Sequence, residues 1–313
     1  SLLQLKKIKM IYINLGFLKT SSRNLQKNFY PNIQNINYIG RYLHKPNSKI
    51  FDELNSYIEK RENFDQKRLI DLKENFKQIC RNKINIISQE NWIVPYEKNN
   101  VTKNIEIVSQ FERLDRLNKF FNDLNLDYKY FLIVRDKVFS TKSLFVTLSE
   151  RIEKLFGSEC LDFNYFVSKF LNKDSDYEKM KLFFEVYNLK KIKQIISGRD
   201  LTLFEYDKIK NNPKEFIKDF SSYLGIKLDE NLAKNISIKY RVTEKEHGSY
   251  ISHQPKKSFK IIKKLIPDFL KKKIISLKIY KTLKMLFFNK IKVKLSEGDE
   301  KLRKILYEIE KEN

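Results

Sequence analysis

The run Tyr130-Phe131-Leu132-Ile133-Val134 is apolar at every position, so a strand formed there has no face to offer to water. Such a strand needs helices above and below it, which points to a parallel sheet inside an α/β protein. The rest of the chain agrees. Ile11-Tyr12-Ile13-Asn14-Leu15 is a second short strand-like run, closed by Gly16 where a tight turn is expected. Ile84-Asn85-Ile86-Ile87 reads as a further buried strand, Leu201-Thr202-Leu203-Phe204 as strand-like, and residues 36–40 as a short extended piece. Apolar residues recur at helical spacing over 49–80, 105–124, 137–156 and 161–198. Ser21, Ser22 and Asn24 can cap a helix running through Leu25 to about Phe29 and stopping before Pro31. Another helix is expected to start at Pro213 and to end at Gly225. The predicted fold is a three-layer α/β core over residues 10–228, with a central parallel sheet flanked by helices. From about residue 229 strands are expected to cease, leaving a basic, mainly helical region, 229–313, packed on the core.

A chain of 313 residues can bury a sizeable core without disulfides or a structural metal. Cys80 and Cys160 lie far apart with no ligand spacing around them, and they read as buried free thiols. No apolar run approaches the roughly 18 residues a membrane span needs. The first residues make a poor signal peptide, so a soluble, cytoplasmic protein is expected. A hydrophobic share of 41%, with 24 Phe and 17 Tyr, excludes a disordered chain. Against 39 Asp+Glu stand 63 Lys+Arg, a net charge of +24 that attracts polyanions. Lys, Asn and Ile are abundant together, however, so compositional bias accounts for the surplus equally well.

In open parallel sheets, ligands collect beyond the carboxyl ends of the strands. Four such ends carry polar residues here: 19–24, 88–90, Arg135 and 205–207. The first follows Gly16 and combines the cations Lys19 and Arg23 with the hydroxyls of Thr20, Ser21 and Ser22 at a helix start. Backbone N–H groups there, with those side chains, can cradle a phosphate. The GxxxxGK[ST] order of a Walker loop is missing, and a capped helix with solvated charges is the plain alternative.

The order Gly16-Phe17-x-Lys19-Thr20-x-Ser22-x-x-Leu25-Gln26 after a strand resembles the 5′-phosphosulfate loop of PAPS-dependent sulfotransferases (PAPS is 3′-phosphoadenosine 5′-phosphosulfate). That loop commonly reads G-x-P-K-[TS]-G-T-T-x-[LI], with Arg in place of the second Thr in many carbohydrate sulfotransferases. Leu18 here replaces Pro, and Ser21 replaces the loop Gly. Two more segments match. Arg135 ends the strongest strand and Ser143 follows eight residues on, similar to the family's 3′-phosphate pair, although Lys137 replaces the usual Pro. Tyr206-Asp207-Lys208-Ile209-Lys210-Asn211-Asn212-Pro213 is similar to the family's Y-E-D-L-x-x-D-P, whose Tyr lies near the adenine. Read without the resemblance, Arg135 is a solvated strand end and Tyr206 a wedge between helix and sheet.

The resemblance spans about residues 10–228 and implies a P-loop-NTPase-like carbohydrate-type sulfotransferase with no metal. PAPS would bind through Lys19, Thr20, Ser21, Ser22, Arg23, Asn24, Arg135, Ser143 and Tyr206, leaving PAP (3′-phosphoadenosine 5′-phosphate) as product. Lys19 would meet charge on the bridging oxygen, and Glu90 or His44 would take the proton from a hydroxyl acceptor, a carbohydrate or related compound, with the surplus charge favouring an anionic saccharide. The rival readings are a kinase-like phosphotransferase, which lacks GK[ST] and an evident Mg²⁺ carboxylate, and a non-catalytic basic nucleic-acid or polyanion binder. Nucleic acid is disfavoured because most Phe and Tyr fall at core positions. The Lys-rich tract 256–295 is expected to pack on its own domain or to touch an anionic membrane surface.

Overall fold

The computed structural model describes residues 10–17, 20, 22–41, 47–60, 63–80, 83–89, 92–94, 96–98, 106–236, 245–246, 249–255, 288–295 and 299–311. They divide into two compact units. One lies within 1–141, 178–239 and 303–313, and the other within 142–177 and 240–302.

The first unit holds a central sheet of β1 (Ile11–Asn14), β2 (Ile36–Gly40), β3 (Ile84–Ser88), β6 (Tyr128–Val134) and β7 (Leu201–Glu205). A separate antiparallel pair, β4 (Tyr96–Lys98) and β5 (Glu106–Val108), falls between them in sequence. The sheet order is β2-β3-β1-β6-β7, and every neighbouring pair is parallel. β1 therefore lies in mid-sheet; β2 and β3 are added on one side of it, and the chain then crosses to build β6 and β7 on the other. That reversal puts the topological switch beside the carboxyl end of β1, the place where open α/β sheets bind ligands.

Both faces are covered, as the apolar run in β6 requires. On one face Tyr12, Tyr38, Ile86, Phe131, Ile133 and Phe204 pack against Leu25, Phe29 and Tyr30 and against Phe216, Phe220 and Leu224 of the helix Pro213–Leu224. The Phe131 and Phe220 rings meet at 5.5 Å. On the other, Tyr128 meets Phe121 of the helix Gln110–Asp123, and Phe76 of the helix Gln66–Ile79 lies between Phe120 and Phe121. Buried aromatics of this kind each stabilise a core by about 3–5 kcal/mol relative to alanine.

Local signals explain most boundaries. Asn212 accepts a hydrogen bond from the Glu215 N–H, Pro213 occupies the first turn, and Gly225 closes that helix at φ 66°. Ser109 caps the helix from Gln110, so Ile107 belongs to β5 rather than to the expected helix from 105. The first helix does not stop before Pro31. Ser22–Asn24 is α-helical, Leu25–Phe29 widens into a π turn, and Tyr30–Asn32 tightens to 3₁₀ with Pro31 in its first turn, where a missing N–H does no harm. The helical stretch after Arg135 breaks at Leu148 into Lys137–Thr147 and Ser149–Phe156.

The second unit corrects the expectation that strands cease at 229. It contains an antiparallel sheet of β8 (Lys245–Glu246), β9 (Ser249–Pro255) and β10 (Phe288–Val293). The Lys294 carbonyl accepts from the Phe163 N–H, joining this sheet's end to the helix Phe163–Leu171. The segment 256–287, most of the Lys-rich tract, lies outside the described residues. Cys80 and Cys160 are both buried free thiols, as expected. No helix among the described residues is long and apolar enough to cross a membrane.

Gly40, the last residue of β2, is fixed by its neighbours. A Cβ there would stand 2.3 Å from the Tyr38 hydroxyl oxygen and 2.8 Å from the Ser88 carbonyl oxygen. Gly40→Ala is expected to cost about 1–3 kcal/mol in chemical denaturation through overpacking. An unchanged midpoint would show that this end of β2 gives way freely.

Candidate active site

The carboxyl edge of the sheet is polar and closely knit. At the end of β1, Asn14 is fully buried. Its Nδ2 donates to the Tyr30 hydroxyl at 2.9 Å, and its Oδ1 accepts from the Gly16 N–H at 2.9 Å. The second bond bends the chain away from the sheet, with Gly16 at φ 60°. On leaving the strand the chain stays beside β6, the Leu15 N–H donating to the Phe131 carbonyl at 3.2 Å. Burial pushes the Tyr30 phenol well above its ordinary range, against the smaller opposing effect of the Asn14 bond.

Thr20 and Ser22 then fold back on the loop. Their hydroxyls donate to the same carbonyl, that of Phe17, at 2.7 and 2.9 Å, and the two oxygens are 3.3 Å apart. Both side chains are buried. Two hydroxyls on one carbonyl tie Thr20 and Ser22 back to Phe17 ahead of the helix start. Gln26, on the next turn, donates to the Ser88 hydroxyl at 3.0 Å and so ties this segment to the end of β3. Beyond Ser88, the Gln89 and Trp92 side chains both donate to Asn55 Oδ1, at 3.3 and 2.8 Å.

Across β1, the ends of β6 and β7 bring Arg135 and Tyr206 together. The guanidinium carbon stands 4.8 Å from the Tyr206 ring centre and 5.6 Å from that of Phe139. Asp136 accepts from the Phe139 N–H at 3.0 Å and starts the helix that carries both Phe139 and Ser143. Lys137, where relatives of the motif have Pro, forms an ion pair with Glu310. Tyr187 links the two halves of the edge. Its ring meets Phe17 edge-on at 4.9 Å, and its hydroxyl donates to the Ser140 carbonyl at 3.1 Å. Burial raises the Tyr187 phenol far above its ordinary value, against the smaller opposing effects of the Ser140 bond and the Arg135 charge.

Of the residues singled out in the sequence, Thr20, Ser22, Arg135 and Tyr206 stand along this edge. Arg23 is exposed beside them. Asn24 is turned elsewhere, its Nδ2 donating to the Asn235 and Ile236 carbonyls at 3.3 and 3.2 Å. Ser143 is half-buried on its helix, its carbonyl accepting from Thr147 at 2.8 Å. Lys19, Ser21, His44 and Glu90 lie outside the described residues. Asn14, Tyr187 and Phe139 were not anticipated, and Gln26 only as the last residue of the quoted loop: each is a polar or aromatic residue inside an otherwise apolar or helical run. No group of three or more His, Cys, Asp or Glu arranged to hold a metal ion occurs among the described residues.

No protein-family model and no curated protein matches the sequence. Solved structures that the chain matches include a sulfotransferase from Alicyclobacillus acidocaldarius, at 12% identity and TM-score 0.42, covering 70% of this chain and 83% of that one. The sulfotransferase domain from the Synechococcus PCC 7002 olefin synthase gives 11% identity and TM-score 0.38, covering 75% and 80%. The sulfotransferase domain from the curacin biosynthetic pathway gives 14% and 0.38, covering 78% and 82%.

Proposed function

We propose that this chain is a PAPS-dependent sulfotransferase that moves a sulfuryl group to a hydroxyl of a carbohydrate or related acceptor. One observation supports the reading above the others: a closed hydroxyl-bearing turn ahead of a helix start and an aromatic-backed arginine occupy neighbouring strand ends beside the topological switch. A nucleotide with phosphates at both ends needs two separate anion sites of this kind.

The chemistry is an in-line displacement. The acceptor oxygen bonds to sulfur, the sulfur–oxygen bond to the 5′-phosphate breaks, and a base takes the hydroxyl proton. In this reading the N–H groups after the Phe17 turn, with Lys19 and Arg23, hold the 5′ end. Thr20 and Ser22 maintain the turn, and either can exchange the Phe17 carbonyl for a phosphate oxygen, a stronger acceptor. Arg135 and Ser143 take the 3′-phosphate and Tyr206 backs the nucleoside. Lys19 meets the charge that develops on the bridging oxygen. Glu90, two residues past β3, and His44 are the candidates for the base. A net charge of +24 favours an acidic acceptor over a neutral one.

Calorimetry with PAP, ATP and a DNA oligomer tests the assignment. PAP is expected to bind without Mg²⁺ and far more tightly than ATP. Salt-sensitive binding of the oligomer with no PAP binding would overturn the proposal.

A further inference from the structure

Phe139 is the most exposed large apolar side chain among the described residues, at 62%. It sits in the first turn of a helix, where a polar residue would suffer no penalty and a phenylalanine gains little from burial. Its position is nevertheless well defined, because the Asp136 carboxylate holds the Phe139 N–H at 3.0 Å. The ring lies on one flank of Arg135, 5.6 Å from the guanidinium carbon, while buried Tyr206 stands 4.8 Å from the same carbon. Both distances fall within the reach of a cation–π contact. Among the described residues no carboxylate pairs with Arg135, so its charge is held by rings and remains available to an anion.

We propose that Phe139 is a positioning residue: together with Tyr206 it flanks the Arg135 guanidinium and pre-orients it for the phosphate that Arg135 receives. The inference rests on the sulfotransferase reading for the identity of that phosphate as the 3′ group. Its physical content is separate. A long arginine side chain loses rotamer freedom when it binds, and two rings that fix it beforehand remove part of that loss. Rings also leave every N–H of the fork unused, which a carboxylate partner would not.

The test compares PAP with adenosine 5′-monophosphate, which lacks the 3′-phosphate, on the full chain by calorimetry. Phe139→Leu keeps an apolar side chain of similar bulk and removes the π face. Because the position is exposed, the variant should fold as the parent does, which circular dichroism and a melting curve check. PAP affinity is expected to fall about threefold to fivefold, with the monophosphate unchanged, and Phe139→Tyr should restore it. Unchanged PAP affinity in Phe139→Leu, with Arg135→Ala still losing it, would overturn the inference and leave the function standing. Equal losses for both ligands would overturn it too, as a general disturbance of the site. A parent chain that binds neither ligand would overturn the function and the inference with it.

Discussion

Replacing Arg113 by methionine is expected to lower folding stability by about 3–5 kcal/mol, the range for stripping one partner from a buried ion pair. Arg113 Nη1 lies 3.8 Å from Glu59 Oε1, and their side chains are 0% and 1% exposed. The methionine fills a similar volume, so packing changes little. The damage comes from a buried carboxylate that loses the Arg113 cation. Replacing both, Glu59→Leu with Arg113→Met, should recover most of the loss, because a buried pair and a well-packed apolar substitute are often close in free energy. Urea denaturation of the two single variants and the double variant decides it. Equal destabilisation of single and double variants would show that volume, not charge, is at stake. The pair has a consequence for the site. Glu59 closes the helix Asn47–Ile58 through its N–H to the Asn55 carbonyl, and Asn55 in turn holds Gln89 and Trp92 on either side of Glu90. A loosened 47–58 helix would release the segment that carries a candidate base.

The sheet was readable wherever burial on both faces leaves a run of apolar residues. β1, β3 and β6 are such runs, while β7 is an edge strand with Leu203 exposed, and the punctuation at Gly16, Pro213 and Gly225 marks where the chain turns. β9 and β10 escaped for the opposite reason. Ser249–Pro255 and Phe288–Val293 mix polar residues and lysines with isolated apolar ones, a pattern that period-two and helical readings share. The π turn at Leu25–Phe29 has no sequence mark at all, because it follows from tertiary demands: Leu25 and Phe29 face the sheet while Gln26 reaches Ser88. The site divides in the same way. Arg135 was found because it directly follows a strand, and Tyr206 because the segment it opens resembles the family's Y-E-D-L-x-x-D-P. Tyr187 lies in a helical tract, where nothing local separates a core aromatic from one that bridges Phe17 and Ser140. Asn14 was hidden in an apolar strand, although an amide there is unusual enough to ask what it bonds. Thr20 and Ser22 were read as ligands, whereas the structure gives them the earlier task of shaping the turn.

Two cations proposed for the same nucleotide should fail in different ways, and that difference tests the mechanism more sharply than the loss of activity alone. The 3′-phosphate carries the same charge before, during and after sulfuryl transfer. Whatever Arg135 contributes is therefore uniform binding, felt in affinity and not in the rate of a saturated enzyme. Arg135→Ala is expected to weaken PAP about 30-fold to 150-fold, the equivalent of about 2–3 kcal/mol for a charge-assisted hydrogen bond. At saturating PAPS, turnover measured as PAP release should stay within a few-fold of the parent. The bridging oxygen differs, because its charge grows as the sulfur–oxygen bond breaks. In the proposed mechanism Lys19 would act on it mainly in the transition state, so Lys19→Ala should lower turnover about 10²-fold to 10³-fold, with a much smaller effect on PAP affinity. Lys19→Arg keeps the charge but not the compact ammonium, and should recover only part of the rate. If Lys19→Ala and Arg135→Ala instead lowered affinity and turnover in the same proportion, the two would belong to one undifferentiated anion site. The division of labour between the β1 loop and the end of β6 would then be wrong, even with PAP bound.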